Sequence, residues 1–208
     1  MPAVYTIFIN NKPFIITADW DYLINNSAYQ HYYDDDLATI NKISREFLSN
    51  KKSIGLILHA IDSVKVFETF CSSYEVVEAA GGIVENELEQ LLFIFRKGCW
   101  DLPKGKIEKG ETEILAAKRE VMEECGLQNV EVKSKIATTY HTFFMSQKNT
   151  LKISHWYSMT TSSNEKLIPQ LEEDITEIKW FLKSTLDIDK LDTYKSIFQV
   201  LSVYLNKI

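Results

Sequence analysis

Residues 105–127 read GKIEKGETEILAAKREVMEECGL, and acidic side chains crowd toward one end of the helix that this stretch predicts. Thr112 supplies the hydroxyl typical of an N-cap, and Gly126 suits the left-handed residue that ends many helices. Four apolar residues recur between them at helical spacing: Ile114, Ala117, Val121 and Cys125. We therefore expect a helix whose apolar stripe faces a core.

Three glutamates, Glu120, Glu123 and Glu124, lie at i, i+3 and i+4 of this helix. They occupy about a third of its circumference, opposite much of the apolar stripe. Like charges at this spacing repel, and the helix dipole disfavours anions near the C-terminus. Arg119 alone does not obviously offset that charge, whereas Mg²⁺ or Mn²⁺ would, because both prefer carboxylate oxygens. A solvated acidic face is the alternative that the glutamate spacing leaves open.

The wider spacing matches a known motif. Gly105 is followed after five residues by Glu111, and seven more residues lead to Arg119 and Glu120. Together with VMEECGL, these residues fill every fixed position of the Nudix box: G, five of any, E, seven of any, R, E, an aliphatic, one of any, E, E, one of any, G, an aliphatic. The chain thus resembles a Nudix hydrolase over about residues 76–208. We identify no such resemblance for residues 1–75.

The resemblance implies a fold, an activity and a set of site residues. Nudix members fold as an α/β/α sandwich around a mixed sheet, and they cleave nucleoside diphosphates linked to another moiety with Mg²⁺ or Mn²⁺. The implied metal ligands are three carboxylates and one main-chain carbonyl: Glu120, Glu123, Glu124 and Lys104. Glu120 is also a candidate base. Glu111 and Arg119 resemble the supporting charges that hold loop and helix in register.

The stretch FRKGCWDLPKGKIEKG, residues 95–110, leads into the helix and places positive charge in an acidic chain. Pro103 and Gly105 predict a stiff turn that can bring backbone N–H groups near an anion. We expect Arg96 and Lys104 to bind substrate phosphate; an ordinary mixed-charge loop is the alternative. The segment WDLPKGKIEKGE resembles the sequence found at this place in the Nudix branch that cleaves dinucleoside polyphosphates and diphosphoinositol polyphosphates.

Candidate residues outside the box come from two later segments. Tyr140 and His141 stand near the end of a predicted strand and are candidates for binding the substrate, whereas Trp156 is expected in the core. Glu173, in LEEDITEIKW, precedes a strand. Many Nudix enzymes carry an acidic base or metal ligand in such a loop, and a solvated loop is the alternative.

The first 75 residues predict a small α+β subdomain of unknown role, and residues 76–208 the Nudix domain. VYTIFINNKPFIIT indicates two strands around an Asn-Asn-Lys turn. DDDLATINKISREFLSN indicates a helix with a solvated acidic start. A metal site at the three aspartates is the alternative, but no partner ligand is visible in the sequence. SVKVFETFCSSY indicates a second helix with Val64, Phe67 and Phe70 on one side. The fold class is therefore α+β.

Composition limits the function classes. The 208 residues carry a net charge of -6, which disfavours broad binding to nucleic acid. No apolar run reaches the roughly 18 residues of a membrane span, and the start lacks a signal-peptide pattern. Three widely spaced cysteines form no CxxC pair, so we expect a reduced, cytoplasmic protein. A homodimer is a further expectation.

Two functions are compatible with these patterns, and an isomerase of the same fold, whose longer sequence signatures are not apparent, is a third. The complete box favours a Mg²⁺- or Mn²⁺-dependent hydrolase that cleaves the diphosphate bond of a small phosphorylated molecule, with a dinucleoside polyphosphate as one candidate. The alternative is a nucleotide-sensing regulatory module without turnover, in which the first 75 residues transmit the signal.

Overall fold

A computed structural model of the chain describes residues 3–19, 28–49, 53–145 and 148–206. The chain divides into two compact units. Unit 1 comprises Met1–Val77 and Tyr140–Lys152, and unit 2 comprises Glu78–Thr139 and Ile153–Ile208. The predicted boundary at residue 75 lies near the end of the first segment of unit 1, but that unit also contains a later segment. The division into independent domains stays a prediction.

Unit 1 is built on a small sheet with two helices. Its elements are β1 (Val4–Ile9), β2 (Lys12–Thr17), β3 (Gln30–Tyr33), α1 (Leu37–Ser49), β4 (Leu56–His59) and α2 (Ser63–Cys71). Strands β1 and β2 form the predicted antiparallel hairpin, and β4 pairs in parallel with both β2 and β3. Asn10 and Asn11 both have positive φ, at 50° and 61°. Such a turn matches the twist of the two strands.

The helices of unit 1 differ from the sequence prediction in the exposure of Val64 and agree with it in the acidic start of α1. Val66 and Phe70 are the buried apolar residues of α2, whereas Val64, which the sequence places on the same side as Phe70, is 45% exposed. At the start of α1, Asp36 accepts a hydrogen bond from the backbone N–H of Thr39 at 3.0 Å. Asp35 accepts from the backbone N–H of Ile61, also at 3.0 Å. Asp36 therefore caps the start of α1, whereas Asp35 satisfies a backbone donor of a later loop.

Unit 2 carries the remaining elements, three of which extend into unit 1. They are β5 (Glu75–Glu85), β6 (Gln90–Arg96), β7 (Cys99–Asp101), β8 (Lys104–Lys106), α3 (Glu113–Cys125), β9 (Glu131–Met145), β10 (Lys148–Thr160), β11 (Ile175–Leu182) and α4 (Lys195–Tyr204). The strand order is β11-β6-β5-β10-β9, with β7 added to β6 and β8 to β5. The Tyr140–Thr142 part of β9 pairs in parallel with β1, so the strand pairing is mixed.

Alternate residues of β6 pack into two cores, one against each helix of unit 2. Leu92 and Ile94 join the residues of α3, and Leu91 and Phe93 join those of α4. The α4 side also holds the buried Trp156, as predicted. Because each face of the sheet is covered by a helix, unit 2 is an α/β/α sandwich, and the predicted α+β class is confirmed.

The described helices are short. The longest of them, α1 and α3, have 13 residues each, against the ~20 that a bilayer demands. Within the described ranges no helix combines the length and apolar character needed to span a membrane.

Candidate active site

Helix α3 begins and ends where the sequence predicts. The hydroxyl of Thr112 accepts a hydrogen bond from the backbone N–H of Leu115 at 3.4 Å. Gly126 ends the helix with φ at 69°, a left-handed conformation that costs glycine nothing. Ile114 is 51% exposed, so its predicted core position is wrong. The buried apolar stripe instead starts at Ala116.

Gly105 is required by the close approach of its loop to the helix. A Cβ atom at this position would lie 2.6 Å from one carboxylate oxygen of Glu120 and still nearer to the other. Any larger residue would push the carboxylate or the loop aside. The glycine therefore seats the side chain of Glu120 directly against β8, which places one box carboxylate beside the backbone of the loop.

Arg119 fastens the loop to the helix with all five of its N–H donors. Its hydrogen bonds are Nε to Glu111 Oε1 at 2.9 Å, Nη2 to Glu111 Oε2 at 2.8 Å, Nη2 to the Lys106 carbonyl at 3.0 Å, Nη1 to Glu120 Oε1 at 2.7 Å and Nη1 to Glu123 Oε2 at 3.0 Å. The hydrogen bond from Arg119 lowers the pKa of Glu111. One arginine thus offsets more of the acidic charge than the sequence pattern predicts.

Glu124 is buried, although the sequence pattern places it opposite the apolar stripe. Its side chain is only 2% exposed. Oε2 accepts the backbone N–H of Lys104 at 2.8 Å, and Oε1 accepts Nη1 of Arg96 at 3.1 Å. Burial raises the pKa of Glu124 to about 7, while the nearby charges of Lys104 and Arg96 pull it down. The alternative of a solvated acidic face does not hold for this residue, because its partners Arg96 and Lys104 come from the distant strands β6 and β8.

Glu120 and Glu123 differ from Glu124 in exposure. The side chain of Glu120 is 14% exposed, and that of Glu123 is 49% exposed. Burial raises the pKa of Glu120 even though Arg119 opposes the change, and the charges of Glu123 and Glu173 add to it. The three glutamates therefore offer one buried, one half-buried and one exposed carboxylate along the last turns of α3.

Lys104 forms a buried ion pair that the sequence pattern did not predict. Its ammonium lies 2.5 Å from Oδ2 of Asp101 and 3.4 Å from the carbonyl of Leu102. Both charged side chains are about nine-tenths buried or more. The spacing of three residues in WDLPK was the available signal. The ammonium is thus engaged within the protein, and the role of Lys104 in binding phosphate stays a prediction.

Residues 168–173 pack against the C-terminal end of α3. The N–H groups of Ile168 and Gln170 donate to the carbonyls of Cys125 and Glu124, at 2.9 and 3.2 Å. These bonds satisfy carbonyls that a helix end leaves without partners. The next turn brings Oε2 of Glu173 to 4.0 Å from Nη2 of Arg96. The structure therefore places Glu173 beside the box carboxylates, and sequence reasoning gave no indication of Gln170.

Residues 76–200 match the NUDIX domain family. The chain belongs to this family. It is 23% identical over 184 residues to the mRNA-decapping enzyme subunit 2 of Arabidopsis thaliana, covering 83% of this chain and 48% of that protein. It is 38% identical over 69 residues to a provisionally assigned 8-oxo-dGTP diphosphatase of Bacillus subtilis (strain 168), covering 32% of this chain and 46% of that protein.

The chain spans about half the length of these curated relatives. Among solved structures, a NUDIX hydrolase from Nitrosomonas europaea aligns with a TM-score of 0.48 at 20% identity, over 64% of this chain and 72% of that one.

Two predicted site residues of the NUDIX protein belong to unit 1. Tyr140 packs edge-on against Phe67, with ring centroids 4.8 Å apart, and more distantly against Tyr5. Burial raises the pKa of the Tyr140 hydroxyl. His141 lies beside Phe143, with ring centroids 5.6 Å apart. Roles for Tyr140 and His141 in substrate binding stay predictions.

The box glutamates are paired with Arg96 and Arg119, and their oxygens are also the candidate ligands of a metal ion. Across the described ranges no three His, Cys, Asp or Glu side chains are gathered so as to hold a metal ion. The donor chemistry nevertheless fits a divalent cation, because carboxylate oxygens and a neighbouring main-chain carbonyl are the ligands that Mg²⁺ and Mn²⁺ favour. The carboxylate of Glu120 packs directly against Gly105, so one of these ligand groups is held beside the loop.

Proposed function

We propose that the NUDIX domain hydrolyses a diphosphate bond in a small nucleoside diphosphate-linked or related polyphosphate molecule, using Mg²⁺ or Mn²⁺. The observation that carries the proposal is the box itself: three glutamates on one helix, with Arg119 joining two of them to Glu111 of the preceding loop. The widely spaced free cysteines support a cytoplasmic location. The acidic net charge of -6 supports a small-molecule substrate over nucleic acid.

The residues that would hold the cation are the three box glutamates and the main-chain carbonyl of Lys104. When bound, a divalent cation supplies Lewis-acid charge to phosphate oxygens and to water. Arg119 keeps Glu120 and Glu123 in place through hydrogen bonds of 2.7 and 3.0 Å. The Lys104 N–H does the same for Glu124 at 2.8 Å. Such prior positioning reduces the reorganisation that the reaction requires.

Two carboxylates are candidates for the base that takes a proton from water. Glu120 has a raised pKa, caused first by burial, and a carboxylate with a raised pKa is a stronger base. Glu173 has a half-exposed side chain beside Arg96. Arg96 is our candidate for phosphate binding, because a guanidinium can donate two parallel hydrogen bonds to an anion. These roles extend the assignment that the resemblance implies.

The experiment is a substrate panel with Mg²⁺ or Mn²⁺, reading released phosphate or nucleotide. The panel contains a dinucleoside tetraphosphate, which the segment WDLPKGKIEKGE favours, and ADP-ribose as a simple linked diphosphate. It also contains 8-oxo-dGTP and capped RNA, which the names of the two curated relatives suggest. We expect hydrolysis of at least one of the three small compounds, and a loss of about a hundredfold or more in Glu120→Gln.

Lys118→Gln is the matched control, since it changes one exposed charge on the same helix and should leave turnover unchanged. If no compound is hydrolysed but one of them binds and stabilises the protein, the chain is the regulatory module instead. If none is hydrolysed and none binds, the proposal is wrong.

We also propose that residues 1–75 form a separate subdomain, with a homodimer contact as its candidate role. Its own hairpin and the two amphipathic helices α1 and α2 support this proposal.

A further inference from the structure

The ion pair between Arg96 and Glu124 is the starting observation. Nη1 of Arg96 lies 3.1 Å from Oε1 of Glu124, and the two side chains are 16% and 2% exposed. Arg96 is the last residue of β6, and Glu124 lies near the end of α3. A guanidinium therefore stands at the most buried of the three carboxylates expected to bind the cation.

The two arginines of the site are held very differently. Arg119 uses all five donors on fixed partners. Within the described part of the chain, the guanidinium of Arg96 makes one hydrogen bond, to Glu124, and its second carboxylate neighbour, Glu173, lies at 4.0 Å. Glu173 belongs to a short exposed turn. Arg119 is thus a structural clamp, whereas Arg96 is attached at one point and can be exchanged.

Electrostatic repulsion governs the approach of a divalent cation to Glu124. Oε2 already accepts the N–H of Lys104, so Oε1 is the oxygen that Arg96 shares with any incoming cation. Two positive charges on one carboxylate oxygen repel strongly in a site shielded from water. Arg96 and a cation would therefore compete electrostatically for the same oxygen.

We propose that Arg96 is an exchangeable counter-ion: it holds Glu124 in the metal-free protein, yields the carboxylate to the divalent cation, and is then available to bind a phosphate of the substrate. The inference rests on the proposed function, because it presumes a cation at the box. Arg96 would couple the two binding events, because the guanidinium that the cation displaces from Glu124 would then bind the substrate phosphate. Coupling of this kind changes affinities by roughly 5- to 150-fold.

The test measures binding on the full chain without turnover. Free Mn²⁺ is followed by electron paramagnetic resonance at about pH 8, so that Glu124 is largely ionised. Arg96→Gln should bind Mn²⁺ about tenfold more tightly than the parent protein, because the competitor is gone. With Mn²⁺ saturating, the same variant should bind methylenediphosphonate, a diphosphate that resists hydrolysis, about tenfold more weakly. A purely structural role for Arg96 does not predict opposite changes in the two affinities.

Three further variants make the result decisive. Lys118→Gln removes an exposed charge from the same helix and should alter neither affinity. Arg96→Gln combined with Glu124→Gln should lose the tightening of Mn²⁺ binding. Arg96→Lys keeps the positive charge but loses the paired N–H donors of the guanidinium. It should shift the two affinities in the same directions as Arg96→Gln, by a smaller factor. It replaces Arg96→Gln if that variant does not fold.

Unchanged or weaker Mn²⁺ binding in Arg96→Gln and Arg96→Lys would overturn the inference while leaving the proposed function standing. Absence of Mn²⁺ binding in the parent and in every variant would instead overturn the metal dependence of the proposed function, and the inference with it.

Discussion

Replacing Glu124 by glutamine should change how the stability of the metal-free protein depends on pH. Burial raises the pKa of this carboxyl from 4.5 to about 7 despite the opposing charges of Lys104 and Arg96. The folded state therefore keeps a proton on Glu124 that the unfolded chain has released. Such a group stabilises the fold at low pH, and that contribution is lost as the pH rises from about 4.5 through about 7. Glutamine releases no proton in this window.

The magnitude follows from the two pKa values. Raising the pKa from 4.5 to about 7 corresponds to about 3 kcal/mol of unfolding free energy lost by the parent protein across the window. Glutamine offers one acceptor oxygen to the two donors that Glu124 serves, Arg96 and the Lys104 N–H, which costs about 1 kcal/mol. We therefore expect Glu124→Gln to be more stable than the parent by about 2 kcal/mol at pH 8, and within about 1 kcal/mol of it at pH 5.

The assay is urea unfolding at both pH values in excess chelator, followed by tryptophan fluorescence. Glu123→Gln is the control, because its carboxylate is 49% exposed and accepts a hydrogen bond from Arg119; it should differ from the parent by no more than about 1 kcal/mol at either pH. Added Mg²⁺ should then stabilise the parent more than it stabilises Glu124→Gln. An equal stability difference between Glu124→Gln and the parent at pH 5 and pH 8 would refute the reasoning.

Three other predictions concern Arg119, Glu85 and residues 1–75. Arg119→Lys should lose the paired bonds to Glu111 and lower the unfolding free energy by about 1–3 kcal/mol, with faster hydrogen exchange in the box loop; unchanged exchange would contradict it. The hydroxyl of Tyr204 and the ammonium of Lys183 both donate hydrogen bonds to the carboxylate of Glu85. Burial raises the pKa of Glu85, but these two hydrogen bonds lower it, and the net change is a lowering. Tyr204→Phe should therefore cost about 1 kcal/mol of unfolding free energy at pH 7 and progressively less once acid protonates Glu85; a cost that does not change with pH would count against this. Protection from hydrogen exchange across most of residues 1–75 is expected, and uniform protease sensitivity there would end the subdomain proposal.

The features predicted correctly from the sequence are local ones. Thr112 and Gly126 mark the ends of α3 because cap residues act on backbone groups within one turn. Periodicity could not decide where a buried stripe stops, which is why Ile114 and Val64 prove exposed. The strand β3 was missed because its four residues, QHYY, have neither the length nor the alternation of a typical strand.

The geometry of the site depended on contacts between distant segments. Arg96 lies 28 residues before Glu124, and no local pattern indicates that they meet. For the same reason the sequence could name Arg119 as a supporting charge but could not show that its five donors reach three carboxylates and one carbonyl. The assignment of Tyr140–Lys152 to unit 1 depends on the pairing of β9 with β1, which are far apart in the chain, and no local pattern indicates that pairing.

The central claim is that the box carboxylates serve a cation-dependent hydrolysis of a diphosphate. The most direct measurement is the turnover of the best panel substrate in excess chelator and again after Mg²⁺ or Mn²⁺ is restored, for the parent protein and Glu120→Gln side by side. The account predicts no turnover in chelator, full recovery in the parent, and a deficit of about a hundredfold or more in the variant. Full turnover in chelator, or equal recovery in Glu120→Gln, would contradict it.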